Sequence, residues 1–204
     1  MENVEQLSEK IFDFAYGCAL PDATLQRAFK GKKSWIANVT GAKEAVKEYI
    51  DFIIRTGPKS PIEHDNLFIK TAKTICTLIN AQGKTMDFET DIFTFGNAQK
   101  LINMTVKHMY AVCYVKPELR THFQFCHCPM DSIMIDKVWK EYYKEANTIR
   151  SDEFHKSWSQ EEFEAENLPE RYLAFQNGVR ELANEKNIFP LEYDFFVWKQ
   201  SDNN

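Results

Sequence analysis

The spacing of apolar residues constrains this chain more than any other feature. Along nearly its whole length they recur three and four positions apart, and no stretch alternates with period two over a useful strand length. Residues 2–20, "ENVEQLSEKIFDFAYGCAL", place Val4, Leu7, Ile11, Phe14 and Ala15 on one helical stripe, with Gly17 and Pro21 expected to end it. A helix is predicted from about Ala42, capped by Thr40 and stopped at Gly57. Another follows from Ser60, with Leu67, Ile69, Ala72, Ile75, Cys76 and Ile79 inward. The turn "TFGN" opens the next helix, Asp131 begins a further one, and Pro169 suits the first turn of a helix near the C-terminus. Residues 151–166 are acidic and read as a loop with a short helix. The expected fold is all-α, a single helical domain over residues 1–204 with room for two lobes and a cleft.

At 204 residues and 44% hydrophobic, the chain is long and apolar enough for a sizeable core. No apolar run is long enough to span a bilayer, and the first residues carry no secretory pattern, so no membrane partner is expected. Five cysteines without a framework spacing point to reduced thiols and a cytoplasmic protein. The net charge of −5 conceals an asymmetry. Residues 28–120 hold 14 Lys and Arg against 9 Asp and Glu, while the remainder holds 11 against 21. A basic middle is compatible with nucleic acid along one lobe, although the same charges also serve to solvate helix faces.

Two residues attract chemical interest. Lys100 follows a glycine turn at the start of an apolar helix, in "FTFGNAQKLINM". There the positive end of the helix dipole and partial burial both disfavour the protonated amine, which is how a protein makes an amine nucleophile. The backbone N–H groups of Gly96, Asn97 and Ala98 open the same helix and are candidates for a phosphate. Asp131 follows Pro129 and Met130 in "FCHCPMDSIMID". It is placed to cap a helix, and a carboxylate there can also move a proton or stabilise a developing cation.

Three segments in the same order resemble the archaeal 8-oxoguanine DNA glycosylases of the helix-hairpin-helix superfamily. "QKLINMTVKHMYA" is similar to the family's helix with its Schiff-base lysine, "CPMDSIMI" to the segment with its catalytic aspartate, and "YLAFQNGVRELANEKNIFPLEYDFFVW" to its C-terminal helix, Pro-Leu turn and Asp-Trp ending. The separation of 31 residues between Lys100 and Asp131 is close to that of the family, and the matching segments cover about a third of the chain.

The resemblance implies a two-lobed helix-hairpin-helix glycosylase fold with a cleft near residues 93–110 and 129–132. It also implies a bifunctional DNA glycosylase and abasic-site lyase acting on double-stranded DNA with a flipped modified base, 8-oxoguanine first, without cofactor or metal. Lys100 would attack C1′ and Asp131 would activate it. Lys107, seven residues on along the same helix face, matches a second family lysine and is assigned to site electrostatics or phosphate contact. Asp194 and Trp198 match residues that line the base pocket, and an indole stacks well on a flipped base. Met104 stands where the family has an aromatic. The chain also departs from the pattern elsewhere. The N-terminal glutamine and tryptophan of the 8-oxoguanine pocket have no counterpart, "TFGNAQ" replaces the superfamily's glycine-rich hairpin, and the four-cysteine cluster of some members is absent. These departures leave room for another modified base.

Other signals are weaker. His122, Cys126, His127 and Cys128 lack the two ligand pairs of a zinc site. Arg150 and His155 fit the short Arg-x4-His pattern of HEPN ribonucleases, an alternative function. A catalytically inactive helical module binding DNA or protein on the same scaffold is another.

Overall fold

The structure is a computed structural model that describes residues 2–24, 32–84, 92–113, 116–143 and 170–201, with the side chains of 2–7, 117 and 198–201 left out. The elements are α1 (Glu2–Ala23), α2 (Lys33–Ile36), α3 (Ala42–Arg55), α4 (Pro61–Gly83), α5 (Phe95–Cys113), α6 (Pro117–Arg120), α7 (Ser132–Val138), α8 (Glu170–Glu185) and α9 (Pro190–Ser201). A 3-10 turn (Thr121–Phe123) follows α6, and a π-turn (Trp139–Tyr143) follows α7. Among the described residues there is no strand, and the fold is all-α. No helix among them is long and apolar enough to cross a membrane.

Helix α5 is the axis of the packing. Ten of its residues are buried, among them Leu101, Ile102, Val106 and Met109. A helix apolar over so much of its circumference must be covered on several sides, and α1 and α4 both lie against it. Helix α3 packs on α4, and α7, α8 and α9 pack on one another. The buried side chains of these helices form one contiguous core.

Local signals account for most boundaries. Ser60 caps α4 by accepting from the Glu63 N–H at 3.2 Å, Pro61 takes the first position, and Glu63 reaches back to the Lys59 N–H at 2.6 Å. At α3 the cap is Gly41 (φ +83°), not Thr40, whose backbone is instead bonded on both sides to the Gln82 amide. Gly57 (φ +67°) ends that helix as expected, since a side chain there would be strained and would press on His122.

Two expectations for α1 are corrected. Phe14 is 67% exposed, and Phe12 and Tyr16 take the core positions with Ala15 and Ala19. Of the expected stripe, Ala15 is buried and Ile11 is half-buried against the core, while Phe14 turns to solvent; the side chains of Val4 and Leu7 lie outside the described residues. Pro21 does not end the helix, which runs to Ala23. Its missing N–H leaves the carbonyl of Gly17 without that helical partner, and both residues are exposed, so the carbonyl is open to solvent. Gly17 has no structural use for its freedom, since an added Cβ meets nothing within 4 Å. Gly17→Ala is expected to stabilise the protein by about 0.5–1 kcal/mol, read as a higher urea midpoint.

Candidate functional site

Lys100 lies in the second turn of α5. Thr94 starts that helix: its carbonyl accepts from Ala98 N–H at 3.1 Å, and its N–H and hydroxyl both donate to Asn97 Oδ1. Asn97 also donates its side-chain amide to the Ala23 carbonyl at 2.7 Å, docking α5 on α1. Asn97 and buried Ala98, both expected to meet a phosphate, are instead engaged in capping and docking, and Gly96 is the half-buried residue that opens the turn.

A long helical side chain leans toward its helix N-terminus. The Lys100 amine lies 3.3 Å from Asp131 Oδ2, with 16% and 24% of the two side chains exposed. Asp131 divides its carboxylate between two tasks. Oδ1 accepts from the Met134 N–H at 2.9 Å and caps α7, while Oδ2 faces the amine. The pair is open enough to be reached and closed enough to be ordered.

Lys107, two turns further along α5, forms an ion pair with Asp194 of α9 and lies 4.8 Å above the Phe195 ring. Asp194 is almost fully buried. Burial pushes its carboxyl up from the ordinary value, Lys107 opposes that push, and Asp131 and Lys100 add a smaller push and pull. The two ion pairs therefore feel each other. Cys128, fully buried, feels both pairs: its thiol is held well above its ordinary value by burial and then by Asp194 and Asp131, with Lys107 and Lys100 opposing. Met104 is half-buried against the core. Trp198 lies on α9, its side chain outside the described residues, and so do Arg150 and His155 entirely.

The segment from Cys126 to Met130 is buried and neither helix nor strand, so its peptide groups need partners inside the protein. Side-chain amides supply them. Gln176 accepts from Cys128 N–H at 3.0 Å and donates to its carbonyl at 2.8 Å. Gln99 accepts from Met130 N–H at 3.2 Å and donates to its carbonyl at 2.9 Å. Asn103 joins them, donating to Gln99 at 3.1 Å and to the Tyr172 hydroxyl at 2.9 Å.

Beside this segment is a charged network that sequence reasoning missed. Arg180 of α8 lies across both oxygens of Asp65 of α4, with NH1 at 3.1 Å from Oδ2. His127 Nε2 donates to Asp65 Oδ1 at 2.8 Å, and Tyr172 O–H donates to His127 Nδ1 at 3.0 Å. Tyr49 meets His64 Nε2 at 2.7 Å. Burial, helped by the neighbouring His64, lowers His127 to about 3. Burial would raise Asp65, but bonds from His127, His64 and Arg180 outweigh it and hold the carboxyl well below the usual range.

By donor type, His64, Asp65 and His127 suit a cation, with one ligand atom from each within 4.8 Å of the others. Arg180 already supplies the positive charge. A divalent ion would leave one carboxylate against three positive charges in a buried place, so the group is a closed ion-pair network and not a metal centre. His122 turns its Nδ1 to the Ile54 carbonyl at 2.9 Å. Among the described residues, no metal-ligand group forms from His122, Cys126, His127 and Cys128.

No family model, no curated protein and no solved structure matches this chain.

Proposed function

We propose that this chain is a DNA glycosylase and abasic-site lyase of the helix-hairpin-helix type, removing a damaged or modified base, with oxidised guanine the first substrate to try. The observation that carries the reading is the approach of the Lys100 amine to Asp131 within 3.3 Å, in a pair accessible to solvent. The order of sequence segments resembling the glycosylases supports it. In this reading Asp131 takes a proton from the Lys100 ammonium, the free amine attacks C1′ of a nucleotide rotated out of the duplex, and the C1′–N bond breaks as the base leaves with its electron pair. The secondary ammonium so formed gives a proton to the departed base, and its nitrogen lone pair makes the imine as the C1′–O4′ bond breaks, O4′ taking the proton held by Asp131. Loss of the 2′ proton then expels the 3′ phosphate and nicks the strand. Lys107, the more exposed member of its pair, offers a donor to the DNA or the displaced base, Asp194 behind it holds that amine in place, and Gly96 offers a backbone N–H to the phosphate.

The test is covalent trapping. Borohydride reduces the imine to a stable amine, so wild-type protein incubated with an abasic or 8-oxoguanine duplex should yield a protein–DNA adduct, and Lys100→Gln should yield none. Absence of an adduct with every modified duplex of a broad panel sinks the lyase reading. An inactive helical module on this scaffold would then be favoured if the duplex still bound. RNA cleavage lost in His155→Ala and kept in Lys100→Gln would favour the ribonuclease.

A further inference from the structure

Lys100 and Asp131 belong to different elements, and something must fix the distance between them. Lys100 is on a helix, whereas Asp131 ends a buried segment that is neither helix nor strand. Its own backbone is extended (φ −123°, ψ −179°). A buried segment of this kind is placed by whatever satisfies its peptide groups. At Met130 that is Gln99, whose one amide bonds both the N–H and the carbonyl. Gln99 immediately precedes Lys100, and Met130 immediately precedes Asp131. The side chain is 2% exposed and is itself held by Asn103 at 3.1 Å. The same two-point pairing recurs at Cys128 with Gln176, on a different helix and further along the segment from Asp131.

We propose that Gln99 is the positioning residue of this site: its amide clamp on Met130 sets the separation between the Lys100 amine and the Asp131 carboxylate. Gln176 holds the same segment but does not set that separation. The consequence for chemistry rests on the glycosylase reading, while the claim about geometry does not. In an oriented reaction, a displacement of about 1 Å costs on the order of 10²-fold in rate. That is the loss of adduct formation expected on breaking the Gln99 clamp.

The test reads the ion pair directly. Lysines are reductively methylated with 13C-formaldehyde, which keeps their charge, and the dimethyl-Lys100 signal is assigned by its absence in Lys100→Arg. Asp131→Asn defines the position of the unpaired signal. Gln99→Leu is expected to move the signal to that position, and Gln176→Leu to leave it at the wild-type position. Should Gln99→Leu fail to fold, Gln99→Glu keeps the shape and the bond from Met130 N–H while losing the donor to the carbonyl, and is expected to shift the signal part of the way. An unmoved signal in the folded Gln99 variant, or an equal movement in Gln176→Leu, overturns the inference. Trapping separates the two claims. No adduct from wild type defeats the glycosylase reading and leaves the clamp to be decided by the dimethyl-Lys100 signal, whereas a wild-type adduct rate in Gln99→Leu defeats the positioning role.

Discussion

Asp131→Asn is expected to slow covalent adduct formation by about 10²- to 10⁴-fold, the range for loss of a positioned acid or base, while barely changing stability. The structure separates these effects because the two carboxylate oxygens do different work. Oδ1 caps α7 through the Met134 N–H, and Oδ2 faces the Lys100 amine. Asparagine caps about as well as aspartate, so its carbonyl oxygen keeps the first bond. Its amide nitrogen then points donors at the amine and can accept no proton. The lost ion pair is partly exposed and contributes at most about 1 kcal/mol. Asp131→Ala, which removes the cap as well, should cost about 1 kcal/mol more, read as a further fall in the thermal midpoint. Single-turnover trapping against an abasic duplex measures the kinetic side. If Asp131→Asn trapped DNA at the wild-type rate, the carboxylate would be a cap and nothing else, and the proposed chemistry would lose its base.

The same residues show what the sequence makes legible. The all-α fold follows from the 3.6-residue period, and the helix carrying Lys100 is announced by "TFGN", whose threonine and asparagine do the capping. Asp131 after Pro129 reads as a helix start because capping is a local property. What could not be read is which face of a helix is buried when both carry apolar residues. In α1, Phe12, Phe14 and Tyr16 are all credible core residues, and only the position of α5 decides that Phe14 stays outside. Partnerships across the chain are hidden for the same reason. Arg180 is 115 residues from Asp65, and His127 is 62. Nothing local marks Gln99 as a clamp, because a glutamine inside an apolar helix declares its partner only once the segment from Cys126 to Met130 is laid beside it. The charge pattern is equally mute, since the Lys100–Asp131 and Lys107–Asp194 pairs each join the basic middle to the acidic remainder.

Acidification is expected to unfold this protein well before its carboxylates are all protonated. His127 is fully buried, with its Nε2 proton on Asp65 and its Nδ1 occupied by the Tyr172 hydroxyl. Held at about 3, it stays neutral in the folded protein, while the unfolded chain takes up a proton near pH 6.5. Unfolding therefore consumes a proton between those values, and stability falls as pH drops through that window. One proton at about 1.4 kcal/mol per pH unit amounts to about 3 kcal/mol lost between pH 7 and pH 4. His64, lowered by burial in the same cluster, adds to the loss. Asp65, held low by its partners, adds more only below its unfolded value near 4. Asp194 works the other way, because its raised carboxyl binds a proton more readily folded than unfolded. It is a single group opposing two histidines, so the net slope still favours unfolding. Urea midpoints measured from pH 7 to pH 4 should fall steadily, and in His127→Gln, less stable at pH 7, they should fall by about one proton's worth less. A midpoint constant down to pH 4.5 would mean that the buried histidines take up protons as freely as in the unfolded chain, which their surroundings of Phe68, Tyr49, Tyr172 and Arg180 do not allow.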